Sequence, residues 1–169
     1  KKQKMKKTIL AFVLLVSSFA YAQQEIKLDI GDALVIKSLE FSYENYLTEN
    51  TSFGISASFN LNKQDVSFRY NENTMITPYY RQYFSTNEQW NFFGEGFIGI
   101  NSGKKESVED SGNYDLKYTD AALGIAIGTK YISTSGLTID LYGGIGRNLF
   151  ASNSPILVPR LGLNVGWRF

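Results

Sequence analysis

The last stretch of the chain, 158–169, alternates residue by residue. Leu161, Leu163, Val165, Trp167 and Phe169 are interleaved with Gly162, Asn164, Gly166 and Arg168. A period of two gives one apolar and one polar face, which is the signature of a β-strand and not of a helix. The final aromatic continues the apolar face, so this strand is expected to be held on both sides and to close a sheet.

The same period recurs from residue 25 onward, with no sustained 3.6-residue repeat. It predicts eight strands, at about 25–34, 36–47, 51–61, 74–84, 90–101, 118–132, 137–150 and 158–169. The third is the clearest: Phe53, Ile55, Ala57, Phe59 and Leu61 alternate with Ser52, Gly54, Ser56, Ser58 and Asn60. Pro78 inside the fourth strand removes a ladder donor and predicts a bulge or local irregularity. Phe93 and Phe97 fall on the polar face of the fifth strand, against the rule. The segments 62–73 and 102–117 are polar and are read as long irregular loops. Connections after the second, fourth and sixth strands are short, and those after the third and fifth are long. Short turns on one rim and long loops on the other are the layout of a membrane barrel. Each strand is also long enough to cross, since roughly 9–11 tilted residues suffice.

Alternation alone does not say which face is inside, but side-chain size does. One face collects Gly, Ser, Asn and charges, which suit the narrow bore of eight strands. The other carries Phe, Leu, Ile, Trp and Tyr, a poor surface to show to water. Tyr46, Phe84, Trp90, Phe92, Tyr131, Trp167 and Phe169 gather near strand ends and are read as an interfacial belt. The fold class expected is therefore all-β, an eight-stranded antiparallel up-and-down transmembrane β-barrel with polar lumen and apolar exterior.

The first 22 residues read differently. Lys6 and Lys7 precede an apolar run from Ile9 to Val16 and the small-x-small triplet Ala20-Tyr21-Ala22. That is a secretory signal peptide behind a short upstream extension, with cleavage expected after Ala22 and a barrel over 23–169. Those 22 residues hold five of the 17 basic residues and none of the 16 acidic ones, so the remainder carries 12 − 16 = −4. No basic footprint for nucleic acid survives. The chain has no Cys and no His, so thiolate chemistry and the commonest general base and metal ligand are missing.

The signal peptide, the alternating strands and the closing L-G-L-N-V-G-W-R-F resemble the small OmpA/OmpX-type outer-membrane barrels of Gram-negative bacteria. The stretches L-E-F-S-Y-E-N-Y-L (39–47) and I-T-P-Y-Y-R-Q-Y-F (76–84) resemble a family of small outer-membrane barrels known only as a domain of unknown function. The resemblance implies residence in the bacterial outer membrane, contact with its lipid, and recognition by the barrel-assembly machinery through the aromatic last strand. Trp167 and Phe169 would carry that assembly signal.

Glu40, Glu44, Arg81, Glu95, Asp120, Lys130, Asp140, Arg160 and Arg168 are placed on the inward face, with Lys27 and Asp29. Charges in so narrow a space need partners, so a lumen ion-pair network is expected, with Arg81 and Glu95 adjacent across one turn. Paired carboxylates can also serve acid/base chemistry, but no nucleophile–base arrangement accompanies them. The acidic run 106–110 lacks the regular spacing of a calcium loop, and no cofactor is implied. Three functions follow: a non-enzymatic barrel with a structural or interaction role through loops 62–73 and 102–117 and a partner protein; a narrow pore or small-ligand transport barrel; and a secreted soluble lipocalin-like barrel with its faces reversed.

Overall fold

The computed structural model describes residues 23–35, 37–61, 72–85, 89–109, 112–150 and 154–169. The expected signal peptide lies outside the described residues, as do residues 62–71. Eight strands run in sequence: β1 (Gln24–Asp29), β2 (Ser38–Thr48), β3 (Thr51–Asn60), β4 (Glu72–Tyr83), β5 (Trp90–Glu109), β6 (Gly112–Ile132), β7 (Leu137–Asn148) and β8 (Leu157–Arg168). Each pairs antiparallel with the next and β8 closes on β1. Register partners lead from Val158 through Gly146, Gly124, Phe97, Tyr79, Gly54, Glu44 and Glu25 back to β8 at Arg168. The circuit returns 168 − 158 = 10 residues along. This stagger tilts the strands and leaves a bore that side chains fill.

Polarity is inverted relative to a water-soluble barrel. Arg81, Lys130, Glu25 and Glu44 are fully buried inside, whereas Ile125 and Ile127 on the exterior are 70% and 74% exposed. A lipocalin-like barrel needs the opposite assignment. An apolar outer surface around a closed ring of strands is what hydrocarbon demands of a spanning sheet.

Three local expectations are corrected, and the local irregularity expected at Pro78 is present without a bulge. The first strand stops at Asp29, and Ile30–Val35 forms a short helix, α1. The segment 102–117 is not irregular: β5 and β6 continue as a paired ribbon, with register from Ser102–Thr119 out to Glu109–Gly112. Pro78 causes no bulge. The β4–β5 pairing is interrupted between Ile76–Ile100 and Tyr79–Phe97 and resumes in the same register, because the missing N–H points toward β5. The shift in that pair of strands lies between Glu72 and Thr74 instead. Tyr46 is not in an interfacial belt, for it is buried inside the barrel.

Candidate functional site in the barrel lumen

Every second residue of each strand points inward, so the lumen is a stack of side chains whose order follows from register. Arg168 of β8 donates through Nη2 to Glu25 of β1 at 2.6 Å, and Lys130 of β6 donates to the other oxygen of Glu25 at 2.6 Å. Lys27 of β1 bonds Glu44 of β2 and, at 2.8 Å, Asp140 of β7. Arg81 of β4 reaches Asp140 at 2.6 Å, Glu44 at 3.1 Å and, through Nε, Glu95 of β5 at 2.6 Å. Arg160 of β8 closes the series, 2.8 Å from Glu95 and 3.5 Å from Glu40. Five bases and five acids thus form one connected ladder from the turn rim toward the loop rim. Formal charge cancels, which is what a dry bore requires.

Glu44 is the hub. Besides Lys27 and Arg81 it faces Lys130 at 3.1 Å, and it accepts hydroxyl bonds from Tyr83 at 2.5 Å, Ser52 at 2.6 Å and Tyr79 at 3.3 Å. Aromatic rings fill the spaces between charges. The Arg81 guanidinium lies 4.1 Å from the Phe93 ring centre and Arg168 lies 4.4 Å from that of Tyr46. Such rings stabilise a cation by their face while completing the packing. Two glycines make room: a Cβ at Gly54 or Gly162 would collide with the rings of Tyr79 and Tyr142, respectively.

Eight of the nine residues expected to form the network are in it: Glu40, Glu44, Arg81, Glu95, Lys130, Asp140, Arg160 and Arg168. Asp120 serves elsewhere. It accepts the backbone N–H of Ala121 at 2.7 Å and of Phe150 at 3.2 Å, and the hydroxyl of Ser154 bonds its other oxygen. It therefore pins the connection between β7 and β8. Asp29 accepts from the backbone of Asp32 at 2.8 Å and of Leu163 at 3.4 Å. Sequence reasoning omitted Glu25 and the tyrosines 46, 79 and 83. Glu25 has the parity of Lys27, and Tyr46 that of Glu44, so the alternation rule extended by one residue finds both. Phe93 and Phe97 do occupy the lumen, 1% and 2% exposed. Trp167 and Phe169 are exposed on the outer surface at the turn rim.

Toward the loop rim the lumen changes character. Met75, Tyr79, Phe97, Ala122 and Val158 form a buried apolar cluster, and Asn101 bonds Asn148 above it at 2.8 Å. At the other end a polar vestibule of about 490 Å³ is lined by Tyr46, Tyr83, Asn91 and Arg168 among others. Among the described residues, no group of three or more acidic side chains is arranged to hold a metal ion. The Ser52 hydroxyl donates to Glu44 at 2.6 Å, and both residues are fully buried.

The chain is thus a small closed eight-stranded antiparallel barrel of inverted polarity with an ion-pair lumen. Comparison of the sequence with family models and with curated proteins finds no match. Among solved structures the chain is similar to the N-terminal β-barrel domain of OprF from Pseudomonas aeruginosa, at 15% identity and a TM-score of 0.62. That match covers 88% of this chain and 96% of the other. It is also similar to Neisserial surface protein A, at 13% identity and a TM-score of 0.56, over 88% of this chain and 94% of that one. At such identities the likeness extends to the fold.

Proposed function

We propose that the chain is a non-enzymatic barrel of the bacterial outer membrane whose lumen is plugged by its own ion pairs. Its role is structural or interactive, through what it presents at the loop rim. The observation that carries this reading is the single neutral ladder from the half-buried Arg168 to Glu40, whose other members are buried and all of which are already bonded to one another. On this reading the β5–β6 ribbon and the segment 62–73 stand outside the bilayer, where a partner protein would meet them. Trp167 and Phe169 serve as the signal read by the barrel-assembly machinery.

Two experiments test it. Electrophoresis of the membrane fraction, heated and unheated, is expected to show a faster unheated band, because closed barrels resist detergent until heated. A protein found in the soluble fraction with no such shift sinks the reading. Planar-bilayer recording of the folded protein is then expected to show no steps. The vestibule at the turn rim favours a second reading, a narrow pore that continues past Arg81 and Glu95. Current steps that change with Glu95→Ala would establish that pore.

A further inference from the structure

On the outside of the barrel, one stretch of the apolar wall is hollow. The outward positions of β5 carry Phe92, Ile98 and Ile100, all exposed, but Gly96 stands between them. A Cβ built there would meet nothing within 4 Å, so the space over it is open. Register sets Tyr80 of β4 on one side of Gly96 and Ile125 of β6 on the other, both exposed. This row ends at Pro159 on β8, by way of Ile145. One row nearer the loop rim, Ile98, Leu123 and Arg147 are partners in turn. The two rows bound a groove of about 670 Å³, which reaches from Phe53 on β3 to Leu157 on β8. That is within the range of about 300–1,000 Å³ over which clefts take small ligands.

The groove climbs the wall. The ten-residue stagger of the circuit tilts every row, so register partners rise toward the loop rim from β3 to β8. With strands about 4.8 Å apart and tilted by about 40°, each step lifts a row by about 3 Å. Five steps separate β3 from β8, a climb of about 15 Å, or half of a hydrocarbon core of about 30 Å. The groove thus has the depth of one leaflet.

Arg147 lines its upper part. It is the last residue but one of β7, exposed, and points outward in step with Ile145. Arg81, Arg160 and Arg168 hold carboxylates in the lumen, whereas among the described residues nothing pairs with Arg147. A cation on the lipid face is costly at the midplane and tolerated at the rim, where it reaches the headgroups. Below it the lining side chains are aliphatic or aromatic.

We infer that this groove docks one phosphate-bearing lipid of the loop-side leaflet, with an acyl chain in the hollow over Gly96 and the phosphate on Arg147. The apolar walls select a hydrocarbon chain, and the uncompensated guanidinium at the rim selects an anion that it can hold by charged hydrogen bonds. The inference rests on the membrane reading above and leaves the lumen filled as described.

The test is native mass spectrometry of the full chain, folded in detergent and offered dioleoyl phosphatidylglycerol, dioleoylglycerol or glycerol phosphate. One phosphatidylglycerol per barrel is expected to be retained. Dioleoylglycerol lacks the phosphate and glycerol phosphate lacks the chains, so each is expected to be retained about tenfold less. Gly96→Leu projects into open space and is expected to abolish retention while the unheated mobility stays that of the folded barrel. Arg147→Gln is expected to lower retention about tenfold, and Arg147→Lys to restore most of it. Unchanged retention in folded Gly96→Leu or in Arg147→Gln overturns the site, and so does glycerol phosphate held as well as the whole lipid. A dimer in place of the lipid adduct, dissolved by Gly96→Leu, gives the groove to a second copy and overturns the inference too. If Gly96→Leu does not fold, Arg147→Gln decides. A heat-dependent shift with no lipid adduct sinks only the site, whereas absence of that shift in the unmutated chain removes the membrane reading itself.

Discussion

The two halves of the lumen solve the same problem with opposite materials. Near the turn rim most of the ladder's charges interlock, and the wall around them is a complete set of strands. Near the loop rim Met75, Ala122, Val158 and the rings of Tyr79 and Phe97 pack between the Asn101–Asn148 bond and the Glu40–Arg160 pair, and one stretch of wall is a helix. The difference follows from what each filling tolerates. A buried ion held by several fixed partners loses much if any of them moves, so its surroundings must be rigid. Apolar side chains exchange one neighbour for another at smaller cost, so they tolerate a less regular wall.

Substitutions can break or sharpen that contrast. Glu44→Leu leaves Lys27, Arg81 and Lys130 short of a shared counter-charge and is expected to cost about 3–5 kcal/mol. The check is the urea midpoint of the folded, fast-migrating band. Met75→Ala on the loop side is expected to cost about 2 kcal/mol, the low end for such truncations, because neighbouring side chains can fill the space. If it costs as much as Glu44→Leu, the loop-side half is as rigid as the other and the contrast fails. Gly54→Ala forces the Tyr79 ring away from Glu44 and is expected to cost about 1–3 kcal/mol. Lys37→Gly relieves a left-handed backbone, with φ of 54°, and is expected to stabilise by about 1 kcal/mol or less, read as a small upward shift of the same midpoint.

The strands and the inward charges were legible because alternation is enforced wherever hydrocarbon lies on one side and a tight bore on the other. Arg81 and Glu95 could be paired from sequence since one short turn joins their strands. The β5–β6 ribbon was not legible: beyond the barrel both faces of a ladder can be wet, so its polar residues carry no period and read as a loop. α1 was hidden for another reason. Ile26, Leu28 and Ile30 continue a strand-like pattern, and only the Asp29-x-x-Asp32 spacing betrays a helix cap. Tyr46 was misplaced because a tyrosine near a strand end suits a lipid headgroup as well as a buried carboxylate, and only its parity with Glu44 distinguishes the two.

Pro159 bears on strand exchange between copies of the chain. The loop-side stretch of β8 before Asn164 pairs with β7 on one side and has no β1 partner on the other, and an unpaired edge is an invitation to a strand from another chain. A proline spoils any such borrowed ladder at its middle, for a visiting strand would meet a missing donor and the bulk of the ring. Pro159 on that edge therefore guards it against strand exchange between neighbouring copies.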